Sequence, residues 1–478
     1  MAAPNGRPAA YSLGASEQYQ IPASTIPDSR RGSFQPYMAP TYPSNINNSP
    51  RPGPSAAAPA PLRSFQHHDA HSNSDTLSNR SLDLDLEDDG GKKGGEGKHD
   101  DSHNDPYDPN RPKLKWKQRL HHFTWAWFTL PMSTGGLALL MQAQPHQFPG
   151  LRAVGTVVYA VNLGIFAFVL SCIFLRFILH RGDFTASLGH PREGFFFPTF
   201  WLATATLITS THRYAIPPDD VTLNWAIQAT YWLYVIATLC LAVGQYSYVF
   251  AAHSFGLQTM MPTWILPIFP IMLSGTIASV IAGTQPAIAA VPVIVAGLTC
   301  QGLGISVSFL MYAHMVGRLM QSGLPHREHR PGLFMCVGPP AFTALALIGM
   351  ANNLPDTFDP NGDGAGEKAM IRVFAIIAGG FLWALSLWWF FIAVIAVVRS
   401  PPRYFHLGWW AMVFPNTGFI LATISLGNAF KSEPVLYFAN GASVLLLLTY
   451  FFVLYHHIRA VIVQDIMYPG RDEDVEDH

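Results

Sequence analysis

The chain has 478 residues, 49% hydrophobic and only 12% charged, with a formal net charge of −1 and a mean hydropathy of +0.20. A soluble domain carries about 25% charged residues, so an ordinary soluble protein is excluded, and a near-neutral chain points to no particular partner. The four cysteines (Cys172, Cys240, Cys300, Cys336) lie in apolar runs without CxxC spacing, which argues against disulfides and a cysteine metal site.

Residues 1–110 are rich in Pro, Ser, Asn, Asp and Gly, with runs such as "SPRPGPSAAAPAPL" and "DLDLEDDGGKKGGEGKHDD". Such a segment buries too little apolar surface to offset its chain entropy, so a disordered cytoplasmic tail is predicted. No cleaved secretory signal is expected, because the first apolar run follows some 120 polar residues. Residues 111–121 form a basic juxtamembrane segment; its "LKWKQRLHHFTW" suits anionic lipid rather than nucleic acid.

From residue 122 to 463, apolar runs long enough to cross ~30 Å of hydrocarbon recur. They predict an all-α integral membrane domain of ten helices, near 122–143, 151–180, 195–212, 223–250, 262–284, 287–316, 333–352, 369–398, 409–428 and 434–463. With the amino terminus inside, the flanks hold fourteen Lys and Arg on the inner side and five on the outer. Both termini are therefore expected in the cytoplasm, including the short acidic tail 464–478.

The odd-numbered spans are interrupted by proline. Pro131, Pro198, Pro267, Pro340 and Pro415 follow one another at intervals of 67, 69, 73 and 75 residues. The spacing predicts five helical hairpins, each with one broken and one largely unbroken helix. Five proline-kinked inner helices can close around a central pore, because irregular backbone at membrane depth is tolerated only against protein or a water-filled cavity. Packing kinks in an ordinary bundle are the alternative.

The spans as drawn contain no Asp or Glu, which argues against cation traffic, although a protonated substrate could still carry a proton. Neutral hydrogen-bonding groups sit at the breaks instead: Ser133, Thr134 and Gly135; Thr199 and Thr204; Ser274 and Thr276; Thr343; Asn416 and Thr417. Hydroxyls and amides can replace the water around an anion without holding it too tightly. A single Ser or Thr in a membrane helix commonly bonds its own backbone, so the set carries this reading. Arg119, Arg176, Arg318 and Arg330, with His122, are candidates for an electrostatic mouth, or else anchor helices at the interface. Arg213 and Arg372 are weaker candidates at the other end. Phe414 and Phe195–Phe197 crowd the breaks and are candidate gate residues.

"DPNGDGAGE" (359–367) starts like a calcium loop, with Asp359, Asn361, Asp363 and Gly364 at the right offsets. Met370 stands where a bidentate Glu is needed, so a polar turn is expected. No phosphate loop, metal-ligand cluster or nucleophile motif occurs, so neither an enzyme nor a cofactor is expected.

The stretches "RLHHFTWAWFTLPMSTGG", "WILPIFPIMLSG", "TQPA", "QGLG", "RPGLFMCVGPPAF", "FPNTGF" and "DIMYPGRDED" resemble the tellurite-resistance/C4-dicarboxylate transporter superfamily, which includes the plant slow-type anion channels. Within it, the likeness is greatest to the fungal malic acid transport proteins. The resemblance covers Arg119 to Asp474, not the long tail. It implies ten helices around a pore, C4 dicarboxylates (malate, succinate, fumarate) as cargo, a fungal plasma membrane and a homotrimer. It also implies that Phe414 plugs the pore. A sulfite exporter or general anion channel of the same fold is the runner-up, and a sensor that recruits partners through its tail is a reading from another class.

Overall fold

The computed structural model describes residues 112–362 and 366–471. The predicted disordered tail, Asp363, Gly364 and residues 472–478 lie outside that range. Among the described residues the chain is helical, with no strand. In chain order the α-helices are α1 (Trp116–His121), α2 (Thr129–Ala143), α3 (Leu151–Leu179), α4 (Asp183–Gly189), α5 (Pro198–Tyr214), α6 (Val221–Ala252), α7 (Phe269–Ile281), α8 (Ala287–Ser322), α9 (Gly338–Asn352), α10 (Lys368–Arg399), α11 (Phe414–Phe430) and α12 (Glu433–Val463). Each of the ten expected ranges is helical. Eight segments are long and apolar enough to cross a membrane, whereas α2 and α5, at 15 and 17 residues, are short.

The predicted kinks take a different form. Five α-helices are entered through a 3-10 segment: Trp125–Phe128 before α2, Glu193–Phe196 before α5, Pro262–Ile268 before α7, Arg327–Val337 before α9 and Leu407–Met412 before α11. Pro131, Pro198, Pro270, Pro339, Pro340 and Pro415 all sit in the first turn of the α half, whereas Pro267, the third member of the expected repeat, lies inside its 3-10 half. In the first α turn a missing N–H costs no intrahelical bond. Proline therefore marks a change of helix type rather than a bend in one continuous helix.

The carbonyls that proline leaves without a partner are recovered. Tyr246 of α6 donates to the Trp264 carbonyl (2.8 Å), three residues before Pro267. Tyr312 of α8 donates to the Cys336 carbonyl (2.8 Å), which faces Pro339 and Pro340 where it would seek amides, and Ser386 of α10 donates to Val337 (2.8 Å). Gln245 of α6 adds a second donor (2.6 Å) to the Gly194 carbonyl, which also accepts from the Phe197 amide (3.1 Å), four residues before Pro198. At the last junction Asn416 donates to Met412 (2.8 Å), three residues before Pro415. Lipid offers no substitute for these bonds.

The five composite segments pack in a closed circuit: α2 on α5, α5 on α7, α7 on α9, α9 on α11 and α11 back on α2. Their 3-10 halves touch in the same order and also close, so the segments run parallel around one axis. Helices α3, α6, α8, α10 and α12 pack outside, each against one or two members of the circuit. Burial separates the two sets. The composites beginning at Pro262, Arg327 and Leu407 are 94%, 83% and 89% buried, against 22–33% for the outer helices, whose bare Ile288, Phe381 and Phe250 form an apolar face suited to lipid.

Candidate functional site

All five α halves line one small cavity of about 20 Å³ on the axis, room for about one water. Gly136 and Leu139 come from α2, Ala205, Thr206 and Thr209 from α5, and Leu273, Thr276 and Ile277 from α7. Phe342 of α9 joins them, with Phe414, Thr417 and Leu421 of α11. No charged side chain is among them. The Thr276 hydroxyl is buried without a hydrogen-bond partner in the protein, so its polarity is available to a solute or to water.

Phe414 is 2% exposed and touches three other inner helices. Its ring stacks on Phe342 (5.0 Å, 25°), lies 6.3 Å from Phe269, and stands 3.2 Å from where a β-carbon on Gly136 would be. A side chain that reaches three members of the circuit sits on its axis. Phe269 and Phe342 meet edge to face at 5.9 Å. Each ring is seated on a glycine of the next helix: Phe269 on Gly338, Phe342 on Gly418 and Phe414 on Gly136. A β-carbon at Gly338 or Gly418 would come within 2.7 or 2.5 Å of the ring, so these seats admit no side chain without repacking.

The structure thus brings Thr276, Thr417 and Phe414 to the axis and turns the other expected residues elsewhere. Thr134 bonds its own helix and the Tyr450 hydroxyl (3.0 Å). Thr199, at the start of α5, bonds the Trp125 carbonyl of the first 3-10 half (2.9 Å) as well as the Phe196 carbonyl (2.7 Å). Thr204 bonds back to Phe200. Thr343 bonds back to Pro339 and accepts from Gln301 of α8 (2.7 Å), and Asn416 caps the carbonyl described above. Ser133 and Ser274 are fully buried off the cavity, with hydroxyls lacking a protein partner. Gly135 is where α2 meets α5 and α3: a β-carbon there would lie 2.3 Å from Thr206 Oγ1 and 2.8 Å from Asn162 Nδ2.

Asn162 belongs to the outer helix α3, yet it is fully buried and neither its Oδ1 nor its Nδ2 has a protein partner. It reaches the inner circuit through the opening left by Gly135. Gln301 enters likewise beside Gly275. Neither was an expected site residue, and nor were Thr206, Thr209, Phe269 and Phe342.

The expected mouth residues are engaged in holding the chain together. Arg176, 4% exposed, grips Glu193 at 2.6 and 3.3 Å, Asp183 at 3.2 Å and the Phe123 carbonyl at 3.0 Å. Arg119 donates to the Val461 carbonyl (2.7 Å), and Arg330 to Pro325 and Ala396 (both 3.1 Å). Arg318 donates to Gln258 and Gly323, and His122 caps α1. Two inner segments begin earlier than drawn, at Glu193 and Arg327, and take in two buried carboxylates. Glu193 is matched by Arg176, while Glu328 accepts from the backbone amides of Arg403 and Tyr404 (both 3.1 Å). In the calcium-like loop, Asp359 accepts from the amides of Asn361 and Gly362, as a turn does.

A closed circuit of broken helices around a neutral cavity, sheathed by lipid-facing helices, is the architecture of a membrane transport protein. The chain belongs to the SLAC1 family (voltage-dependent anion channel), whose profile matches residues 122–458; it is a multi-pass membrane protein of a transport family and not an enzyme. Among its relatives is the malic acid transport protein of Schizosaccharomyces pombe, 35% identical over 367 residues, covering 76% of this chain and 84% of that one. A putative malic acid transport protein of the same yeast is 34% identical over 76% of this chain and 86% of its own length. The sulfite efflux pump SSU1 of Arthroderma otae is more distant, at 28% over 66% of this chain and 84% of its own.

Proposed function

We propose that this protein carries C4 dicarboxylates, malate foremost and also succinate and fumarate, along the axis of the circuit. The observation that carries the cargo is the 35% identity to a malic acid transport protein over three-quarters of the chain. The sulfite efflux relatives are less alike, which makes sulfite or general anion export the second reading.

The geometry supports a passage for a solute that must shed water gradually. Thr206, Thr209, Thr276 and Thr417 line the cavity; the hydroxyls of Thr206, Thr209 and Thr417 donate back to the Ala203, Ala205 and Val413 carbonyls, while that of Thr276 has no protein partner. Such groups replace hydration without the deep binding that a fixed arginine would impose. The Phe269–Phe342–Phe414 cluster fills the axis and has to move for a solute to pass. With Glu193 and Glu328 both occupied, a co-transported proton travels most simply on the substrate, as the monoanion. This reading takes all ten helical segments as membrane-spanning, in five hairpin repeats. It also takes both termini as cytoplasmic, the plasma membrane as the site and a homotrimer as the assembly.

The test is uptake of labelled malate into proteoliposomes, wild type against Phe414→Ala, with chloride and sulfite as competitors. Saturable malate flux is expected, rising roughly tenfold in Phe414→Ala if the ring contributes about 1.4 kcal/mol to the barrier. Flux of chloride or sulfite without malate would transfer the assignment to the second reading.

A further inference from the structure

We infer that His121, His180 and Asp183 form a divalent-metal site of the zinc type at the approach to the first inner segment. His121 ends α1, His180 caps the C-terminus of α3 and Asp183 opens α4. The three therefore come from two stretches 59 to 62 residues apart in the chain. Their ligand atoms all lie within 4.8 Å of one another. His121 Nδ1 is 2.8 Å from Asp183 Oδ2, and the His121 and His180 rings are 4.8 Å apart.

An ion pair between His121 and Asp183 would account for two of the three residues. It leaves His180, whose Nε2 is buried without a hydrogen-bond partner. Two imidazoles and one carboxylate are a familiar donor set for zinc, with water in the fourth position. Arg176 also touches Asp183 Oδ2, at 3.2 Å. Its charge is matched by Glu193 at 2.6 Å, so the trio keeps the negative charge that favours a cation. Tetrahedral metal–ligand bonds of about 2.0–2.2 Å set donors about 3.4 Å apart, so the 4.8 Å span of the trio would contract while the 2.8 Å His121–Asp183 pair opens slightly. The metal would then fasten α1 to the α3–α4 turn, next to Phe123 and the start of the first 3-10 half.

The experiment uses the full chain in detergent, purified without a histidine tag, stripped with chelator and titrated with zinc chloride in a calorimeter. The tail supplies other histidines, including His67, His68 and His71, so the decisive quantity is a difference. Wild type is expected to bind one zinc more per chain than His180→Ala, with affinity at that site falling at least a hundredfold, more than changes outside the ligand set commonly cost. His121→Ala should match it. Cobalt should give a tetrahedral visible spectrum in wild type that His180→Ala lacks. Metal-free thermal unfolding of each variant separates loss of the site from loss of the fold. Equal zinc stoichiometry in wild type and His180→Ala, with both folded, overturns the site.

Discussion

The two halves of each inner segment are built from opposite chemistry. The α halves surround the axis with hydroxyls, methyl groups and phenyl rings, and no charge lines their cavity. At the end where the 3-10 halves lie, charged groups are each tied to another part of the chain: Arg176 of α3 with Glu193 and Asp183, Glu328 with the amides of residues 403 and 404, and the half-buried Arg330 with two carbonyls. Charge at this end therefore fixes the entry geometry. The axis is left to neutral groups, which an anion can leave as easily as it enters.

The sharpest way to break that contrast is Arg176→Met. It strands Glu193 in a dry site and is expected to cost about 3–5 kcal/mol, read as a large fall in the midpoint of thermal unfolding in detergent. Arg176→Met with Glu193→Gln should recover much of the loss; no recovery would mean that Arg176 acts chiefly through Asp183 and Phe123.

Acidification tests the same face more gently. His406, in the loop before the last 3-10 half, is held down to about 4 by burial and then by Arg471, with Arg192 acting in the same sense and Asp465 and the Arg471 backbone opposing. A histidine with a depressed folded pKa is neutral when docked. The docked state therefore loses stability as pH falls from about 6.5 towards 4, by at most about 3 kcal/mol. Residues 464–471, where Ile466, Met467 and Arg471 are buried, should become cleavable by protease across that window. His406→Phe should flatten the dependence.

The smallest expected effect lies at the junctions. Tyr312→Phe removes the phenolic donor to the Cys336 carbonyl and should cost about 1–3 kcal/mol in stability. A neutral outcome would mean that water reaches that carbonyl.

Much of this frame was legible in the sequence. The apolar runs located the helical segments, one of them (262–284) to the residue, and the proline spacing singled out the five that close into a circuit. The 3-10 halves were not legible, because i+3 and i+4 bonding differ little in residue preference and packing decides between them. Their extra length upstream is what brought in Glu193 and Glu328. On the axis, the sequence pointed to hydroxyls nearest each proline. In "LATATLITSTH" a hydroxyl recurs every one to three residues, and only the rotation of α5 against its neighbours turns Thr206 and Thr209 inward and Thr204 away. Phe342 and Asn162 carried no signal, being one ring among many aromatics and one amide on a helix assigned to lipid.

The change of helix type also sets the height of the passage. An α-helix advances about 1.5 Å per residue and a 3-10 helix about 2.0 Å. The 15 residues of α2 alone reach only about 22 Å, short of the ~30 Å hydrocarbon layer. The four 3-10 residues before it add about 8 Å and close the gap. The 13 residues of α7 reach about 20 Å, and their seven-residue 3-10 lead adds about 14 Å. On the proposed reading that all five composite segments span the membrane, the stretched halves act as spacers, letting short α-helices pack tightly around the axis while the whole segment still reaches from one face of the bilayer to the other.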